Sequence, residues 1–280
     1  MAHILSGTRI GNKILTDLRE EVRALSVVPR IAAILVGDNP ASRLYVRMKE
    51  QRCSRVGIAF EKIVVAENTN TQSLCEIIRS LNARMDVHAI LVQLPLPAGL
   101  DTDIVIRSID PRKDVDGFHP DNIERFMHDT QPYVEPVLIH AIRALLEATG
   151  NPLTDKQAVI LGKSDVFMRP LGASLTRMGL HVQWITQSTD SWKEICATAD
   201  VLVTALGVPH SVTADAVKQG ASIIDVGISK LDGQVAGDVH PDAAARAGFI
   251  TPVPGGVGPM TVAMLLHTVV HLARTQTTTV

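Results

Sequence analysis

Aromatic residues are scarce in this 280-residue chain: two tryptophans, two tyrosines and five phenylalanines, 3% of the total. So thin a supply leaves little for stacking on nucleic-acid bases. Charge is nearly balanced, 27 Lys and Arg against 29 Asp and Glu, so no electrostatic reason points to a nucleic acid or an anionic membrane as partner. Cysteine is sparse too. Cys53, Cys75 and Cys196 are odd in number, far apart and without CxxC spacing, which argues against a disulfide framework, a zinc site and a redox pair. No apolar run approaches the roughly 18 residues that a membrane span requires. Residues 1–12 lack the charged-then-apolar pattern of a signal peptide. These absences lead us to expect a cytoplasmic protein with no metal, nucleic-acid or membrane partner, acting on a small molecule.

What is present is apolar content, 46%, enough for a full core, and a length that suits two domains of ordinary size. Strand-length apolar runs alternate with segments of helical period, the pattern of an α/β protein with parallel sheets. In the first half this predicts helix 9–25, strand 31–36, helix 42–56, strand 58–65, helix 72–83 and strand 89–93. The second half restarts with strand 158–161, a glycine, helix 171–178, and strands 182–185, 201–205 and 222–226, a Rossmann-like order. A polar stretch, Asp114 to Tyr133, precedes an apolar helix over 138–148, so the boundary is expected near residue 135. A last helix, 260–274, completes the first domain, and the polar tail Thr275 to Val280 is expected to fray.

Five segments could carry chemistry. Tyr45 and Lys49, at i and i+4, share one helical face. A lysine beside a cationic or apolar ligand loses its charge more readily and becomes a usable base, though the same spacing fits a solvated helix with Arg43 and Arg47. In Val92-Gln93-Leu94-Pro95-Leu96-Pro97 a buried strand ends in a glutamine and two prolines; Gln93 is placed to bind a ligand or orient Lys49, or merely to end a strand. Lys113-Asp114-Val115-Asp116-Gly117 is an acidic turn whose carboxylates match paired N–H donors, as on a pterin or guanine edge, but Asp-Gly turns are common. Thr251 to Thr261 sets three glycines among three prolines ahead of a helix N-terminus, which suits close backbone approach to a ligand. Finally, Gly162 to Pro170 is a strand-glycine-helix junction where a dinucleotide pyrophosphate would lie, yet it is no GxGxxG and also fits a plain turn. His267 and His271 lack the glutamate of a metalloprotease helix and read as an ordinary helix face.

Taken in order, Ser42 to Lys49, Leu91 to Pro97, Lys113 to Gly117, Ile224 to Ile228, Gly237-Asp238-Val239 and Thr251 to Thr261 resemble the bifunctional methylenetetrahydrofolate dehydrogenase/cyclohydrolase family over nearly the whole chain. The resemblance implies two α/β domains: a folate-binding catalytic domain, 1–135 completed by 260–274, and a Rossmann-like dinucleotide-binding domain, 136–259, with a cleft between them. It implies oxidation of 5,10-methylene-tetrahydrofolate by NADP or NAD, then hydrolysis of the methenyl cation to 10-formyl-tetrahydrofolate, in a homodimer. By the same resemblance Lys49 is catalytic with Gln93 as its partner, Tyr45 stacks near the pterin, and Asp116 anchors its donors. Pro254, Gly255, Gly256, Val257, Gly258, Pro259 and Thr261 close the folate pocket. Gly162, Lys163, Ser164, Gly207 and Ile228 fall to the dinucleotide.

The departures from the family pattern fall mostly in the nucleotide half. Met168 stands where a glycine is usual in a GRSxxVGxP pattern, with Phe167 before it, and a side chain there would occupy space that backbone N–H groups need around a phosphate. Pro136-Val137-Leu138-Ile139 replaces Pro-Cys-Thr-Pro. Gln187 and Ser188 stand where a basic residue often meets a 2′-phosphate, leaving Lys163 as the nearby cation. Glu124 and Val208 replace a glycine and a lysine. Three readings therefore stand at this point: the bifunctional enzyme with an altered dinucleotide site that prefers NAD; a paralogue without the redox step that acts as cyclohydrolase alone or passes the methylene carbon to another acceptor; and a non-catalytic folate-binding protein.

Overall fold

A computed structural model describes residues 2–278. The chain opens with a two-residue strand, β1 (His3–Ile4), and helix α1 (Gly7–Ala24). It divides into two compact units, Lys13–Val137 with Val262–Val280, and Met1–Asn12 with Leu138–Thr261.

In the unit that begins at Lys13, strand β2 (Arg30–Val36) is followed by α2 (Pro40–Val56), β3 (Ala59–Val65), α3 (Thr71–Asn82), β4 (Ala89–Val92), α4 (Thr102–Arg107) and α5 (Pro120–Met127). The three strands form a parallel sheet in the order β3-β2-β4. Six of the seven β2 residues and all four of β4 are buried, which is why both read as unbroken apolar runs rather than alternating ones. Ala32, Ile34 and Ile90 pack against Leu74 and Ile78 of α3 and Val105 of α4. Beyond the sheet edge, Ile90 N–H donates to the Lys113 carbonyl at 2.7 Å, and a parallel bridge pairs Ile90 with Asp114. The Lys113 to Gly117 segment is thereby laid alongside β4.

The other unit contains α6 (Val137–Glu147), β5 (Gln157–Gly162), α7 (Asp165–Arg177), β6 (His181–Ile185), α8 (Trp192–Cys196), β7 (Val201–Ala205), β8 (Ser222–Asp225), a hairpin of β9 (Ser229–Leu231) and β10 (Gln234–Ala236), and β11 (Phe249–Ile250). Six parallel strands run in the order β1-β11-β8-β7-β5-β6. Val159, Leu161, Leu202 and Ile223 bury against Cys196, Val212 and Ala243. Helix α9 (Val257–Thr278) ends the described chain. Among the described residues, no helix is long and apolar enough to cross a membrane.

Four local expectations change. The tail does not fray through residue 278: Thr275 and Thr277 bond back to the His271 and Ala273 carbonyls, and Gln276 Nε2 donates to the carbonyls of His88 and Arg112 at 2.9 and 3.0 Å. Residues 279 and 280 of that expectation lie outside the described part. Helix α7 starts at Asp165 rather than 171, with Pro170 inside its second turn, where the missing N–H leaves the Val166 carbonyl without its helical donor. The N-terminal residues His3 and Ile4, read as part of the first half, pair in parallel with Phe249 and Ile250. The β9–β10 hairpin and helices α4 and α5 were not anticipated, being too short to show a period.

Candidate active site

Helix α2 presents Tyr45 and Lys49 because its start is fixed. Asn39 Oδ1 accepts from the Ala41 and Ser42 amides, Pro40 occupies the first turn, and Gly57 ends the helix in the left-handed region with its amide on the Cys53 carbonyl. Ser42, Val46, Cys53 and Val56 form the buried face. Burial pushes the Cys53 thiol up to about 12, so it stays a neutral core group. Tyr45 is 47% exposed, leaving its ring free to stack on a ligand, and Lys49 is half-buried one turn further on.

Lys49 Nζ donates to Gln93 Oε1 at 3.1 Å. The amide cannot flip, because Gln93 Nε2 donates to the Leu94 carbonyl at 2.7 Å and its backbone N–H is held by the Ile34 carbonyl. Gln93 follows the carboxyl end of β4, where open α/β sheets place ligands, and the Leu94–Pro95 bond beyond it is cis.

The acidic turn splits into two roles. Lys113 Nζ donates to the carbonyls of Leu81, Asn82 and Arg84, closing the end of α3. Asp114, 1% exposed, accepts from the Gly117 and His119 amides and from Asn122 Nδ2. Both are structural, and they leave Asp116 with no side-chain hydrogen bond among the described residues. Burial pushes the Asp116 carboxyl up to about 6, against the pull of the nearby Lys49 charge and with a further push from Asp114. Gly117 (φ 71°) approaches the backbone of Glu135 and Pro136 so closely that a Cβ would collide. Lys49, Gln93 and Asp116 thus come together from three segments, with Tyr45 one turn away. The cluster offers a lysine on a rigid acceptor, an unpaired carboxylate and an open aromatic face.

The segment from Thr251 to Thr261 is rigid in its own unit. Val253–Pro254 is cis, Gly255 has φ +105°, and Gly256 lies buried against the Pro252 carbonyl and Thr251. The Thr8 amide donates to the Gly255 carbonyl at 3.0 Å, and Gly7 touches Gly256. Val257 is buried, while Pro254 and Gly258 are exposed, and Thr261 Oγ1 bonds back to the Gly258 carbonyl.

In the six-stranded sheet the order reverses at β5, whose neighbours are β6 and β7, and a dinucleotide lies at the carboxyl ends of such strands. The residues there fit one. Lys163 and Ser164 are exposed at the start of α7, and the Ser164 side chain makes no capping bond, so the first amides of this 13-residue helix remain open to an anion. Met168, expected to crowd that turn, is only 2% exposed; its Sδ and Cγ pack on Gly162, inside the helix–strand layer. Gly207 (φ +61°) follows β7 with open space around it, and Ile228 is 61% exposed. Near Gln187, Ser188 Oγ is paired with Thr186 Oγ1 at 2.7 Å. Sequence reasoning gave no role to two carboxylates of this unit, Asp225 and Asp238, although both stand in recognisable motifs; their burial, 3% and 0% exposed, is what marks them.

A two-unit α/β chain with a lysine–glutamine–aspartate cluster in one unit and a nucleotide-type parallel sheet in the other has the build of a dinucleotide-dependent enzyme. Residues 5–116 match the catalytic domain of tetrahydrofolate dehydrogenase/cyclohydrolase, and residues 136–277 match its NAD(P)-binding domain. The chain belongs to this family. It is 44% identical to the bifunctional protein FolD of Lacticaseibacillus paracasei over 98% of both chains. Among solved structures it resembles the bifunctional FolD of Campylobacter jejuni (TM-score 0.94, 36% identity, covering 98% and 99% of the two chains). It also resembles the Trypanosoma brucei dehydrogenase-cyclohydrolase, solved with NADP and an inhibitor (TM-score 0.92, 30% identity, covering 99% and 98%).

Proposed function

We propose that the chain is a bifunctional methylenetetrahydrofolate dehydrogenase/cyclohydrolase: it oxidises 5,10-methylene-tetrahydrofolate to the 5,10-methenyl cation and hydrolyses that cation to 10-formyl-tetrahydrofolate. The observation that carries this reading is the Lys49 Nζ–Gln93 Oε1 bond at 3.1 Å beside the unpaired Asp116 carboxylate. The Asp116 carboxylate accepts the paired N–H donors of the pterin, and Tyr45 stacks on it. A nicotinamide dinucleotide would be held by Gly162, Lys163, Ser164, Gly207 and Ile228, and when bound it would supply the two-electron acceptor that takes a hydride from the one-carbon unit and leaves that carbon positively charged.

Lys49 Nζ is placed to take the proton of a water attacking the methenyl carbon, while Gln93 holds the nitrogen in line. We further propose that the unit of Lys13–Val137 with Val262–Val280 acts as the folate domain and the unit of Met1–Asn12 with Leu138–Thr261 as the dinucleotide domain, in a cytoplasmic homodimer. One ground for the readings without a redox step was a crowded nucleotide turn, and Met168 turned inward against Gly162 removes that ground.

The test is hydrolysis of methenyl-tetrahydrofolate, followed by loss of its absorbance, in the wild-type protein and in Lys49→Ala. The variant should lose at least a hundredfold in rate, the scale of general base catalysis, while still quenching with folate. Undiminished turnover in Lys49→Ala would remove the lysine from the mechanism.

A further inference from the structure

We propose that Asp238 is a positioning residue that preorganises the loop after β7 for the dinucleotide; this rests on the reading of that loop as part of the nucleotide site. Asp238 is wholly buried, and its two carboxylate oxygens each take one backbone amide from that loop: Oδ2 accepts from Leu206 at 2.6 Å and Oδ1 from Val208 at 2.9 Å. Those amides flank Gly207, whose φ of +61° turns the chain at the carboxyl end of β7, beside the point where the strand order reverses. A carboxylate sets one ionised oxygen on each of the two donors, whereas an asparagine would turn its NH2 group toward one of them.

The anchor is itself anchored. Asp225, at the end of β8, accepts from the Asp238 and Val239 amides at 3.1 and 2.9 Å, from Gly227 at 2.9 Å and from Thr204 Oγ1 at 3.2 Å. Thr204 lies in β7, so the two carboxylates lock the ends of β7 and β8 to the segment that carries Asp238. Two glycines make the packing possible. A Cβ on Gly227 would fall onto the Asp238 carboxylate, and one on Gly237 onto that of Asp225. This accounts for Asp225-Val226-Gly227 and Gly237-Asp238 as a single device split between two sequence segments. Loop geometry set before the ligand arrives lowers the ordering cost of binding, so its loss should appear in dinucleotide affinity.

The experiment compares Asp238→Asn with Asp200→Asn. Asp200 also holds backbone and lysine partners, the Gln157 amide and Lys218, but at the opposite ends of the strands. Dehydrogenase kinetics should show the dinucleotide KM of Asp238→Asn raised about tenfold or more, the scale of one lost charge-assisted hydrogen bond, with the folate KM and the methenyl hydrolysis rate unchanged. Asp200→Asn should keep the wild-type dinucleotide KM. On the wild-type protein, hydrogen exchange should find the Leu206 and Val208 amides protected before any dinucleotide is added. An unmoved KM, a fall in kcat alone, an equal rise in Asp200→Asn, or exchange that slows only when dinucleotide binds would each overturn the proposal. If Asp238→Asn does not fold, the exchange measurement decides. Wild-type protein that forms no NAD(P)H and binds neither dinucleotide would instead defeat the functional reading on which the proposal rests.

Discussion

At the residue scale, the site turns on which polar atoms are already occupied. Asp114 and Asp116 look alike in sequence, yet Asp114 accepts three hydrogen bonds from its own fold and Asp116 accepts none. Only the second is available to a ligand. Its carboxyl takes up a proton as pH falls through about 6, and a pterin bound there as proposed would lose its ionised partner. The folate KM should therefore rise below pH 6, and Asp116→Asn should flatten that dependence while raising KM at pH 7.5; steady-state kinetics from pH 5 to 8 checks both. Gln93 is a second residue-scale test. Replacing it by glutamate sets a carboxylate against the lysine and withholds the amine from base catalysis, so hydrolysis should fall more than tenfold and recover partly toward alkaline pH. Gln93 and Asp116 could be suspected from the sequence because a strand end and an acidic turn announce themselves. The separation of Asp116 from Asp114 could not, since it depends on Asn122 and the His119 amide folding back.

At the element scale, the same contrast between local signal and tertiary packing recurs. Strands β2 and β4 were readable because both faces are covered and the apolar run is continuous. Helix α2 was readable from Ser42 to Val56, and its true start at Pro40 is explained by the Asn39 cap. By contrast, β1 has two residues and exists only because Phe249 and Ile250 pair with it, and the start of α7 was hidden by Pro170, which on sequence grounds reads as a breaker. Met168 is the sharpest case. Its place in the nucleotide turn suggested obstruction, but its side chain belongs to the core between α7 and β5. Met168→Ala should then cost about 2–4 kcal/mol of stability through cavity formation and leave the dinucleotide KM within about twofold, where obstruction by Met168 would have made the same change improve KM. Denaturant titration and kinetics on one preparation separate these outcomes.

Across the whole molecule, two carboxylates held near pKa 6, Asp116 and Asp225, make stability depend on pH in an unusual direction. Both bind a proton more tightly folded than unfolded, where an aspartate titrates near about 3.9. Between pH 4 and pH 6 the folded state therefore carries more protons, and this pair's contribution to stability declines as pH rises, then stays level above pH 7. Asp116→Asn removes one of the two penalties, so it should raise Tm at pH 7.5 by an amount on the order of 2–4 °C and change it little at pH 4, as scanning calorimetry would show. A site that binds folate at the expense of stability is the usual compromise of an active centre. Absorbance at the nicotinamide band, recorded with 5,10-methylene-tetrahydrofolate and either NAD or NADP, tests the central claim most directly. The account predicts saturable growth of NAD(P)H followed by appearance of 10-formyl-tetrahydrofolate, with the second step abolished in Lys49→Ala. Folate binding without any reduced dinucleotide would contradict it.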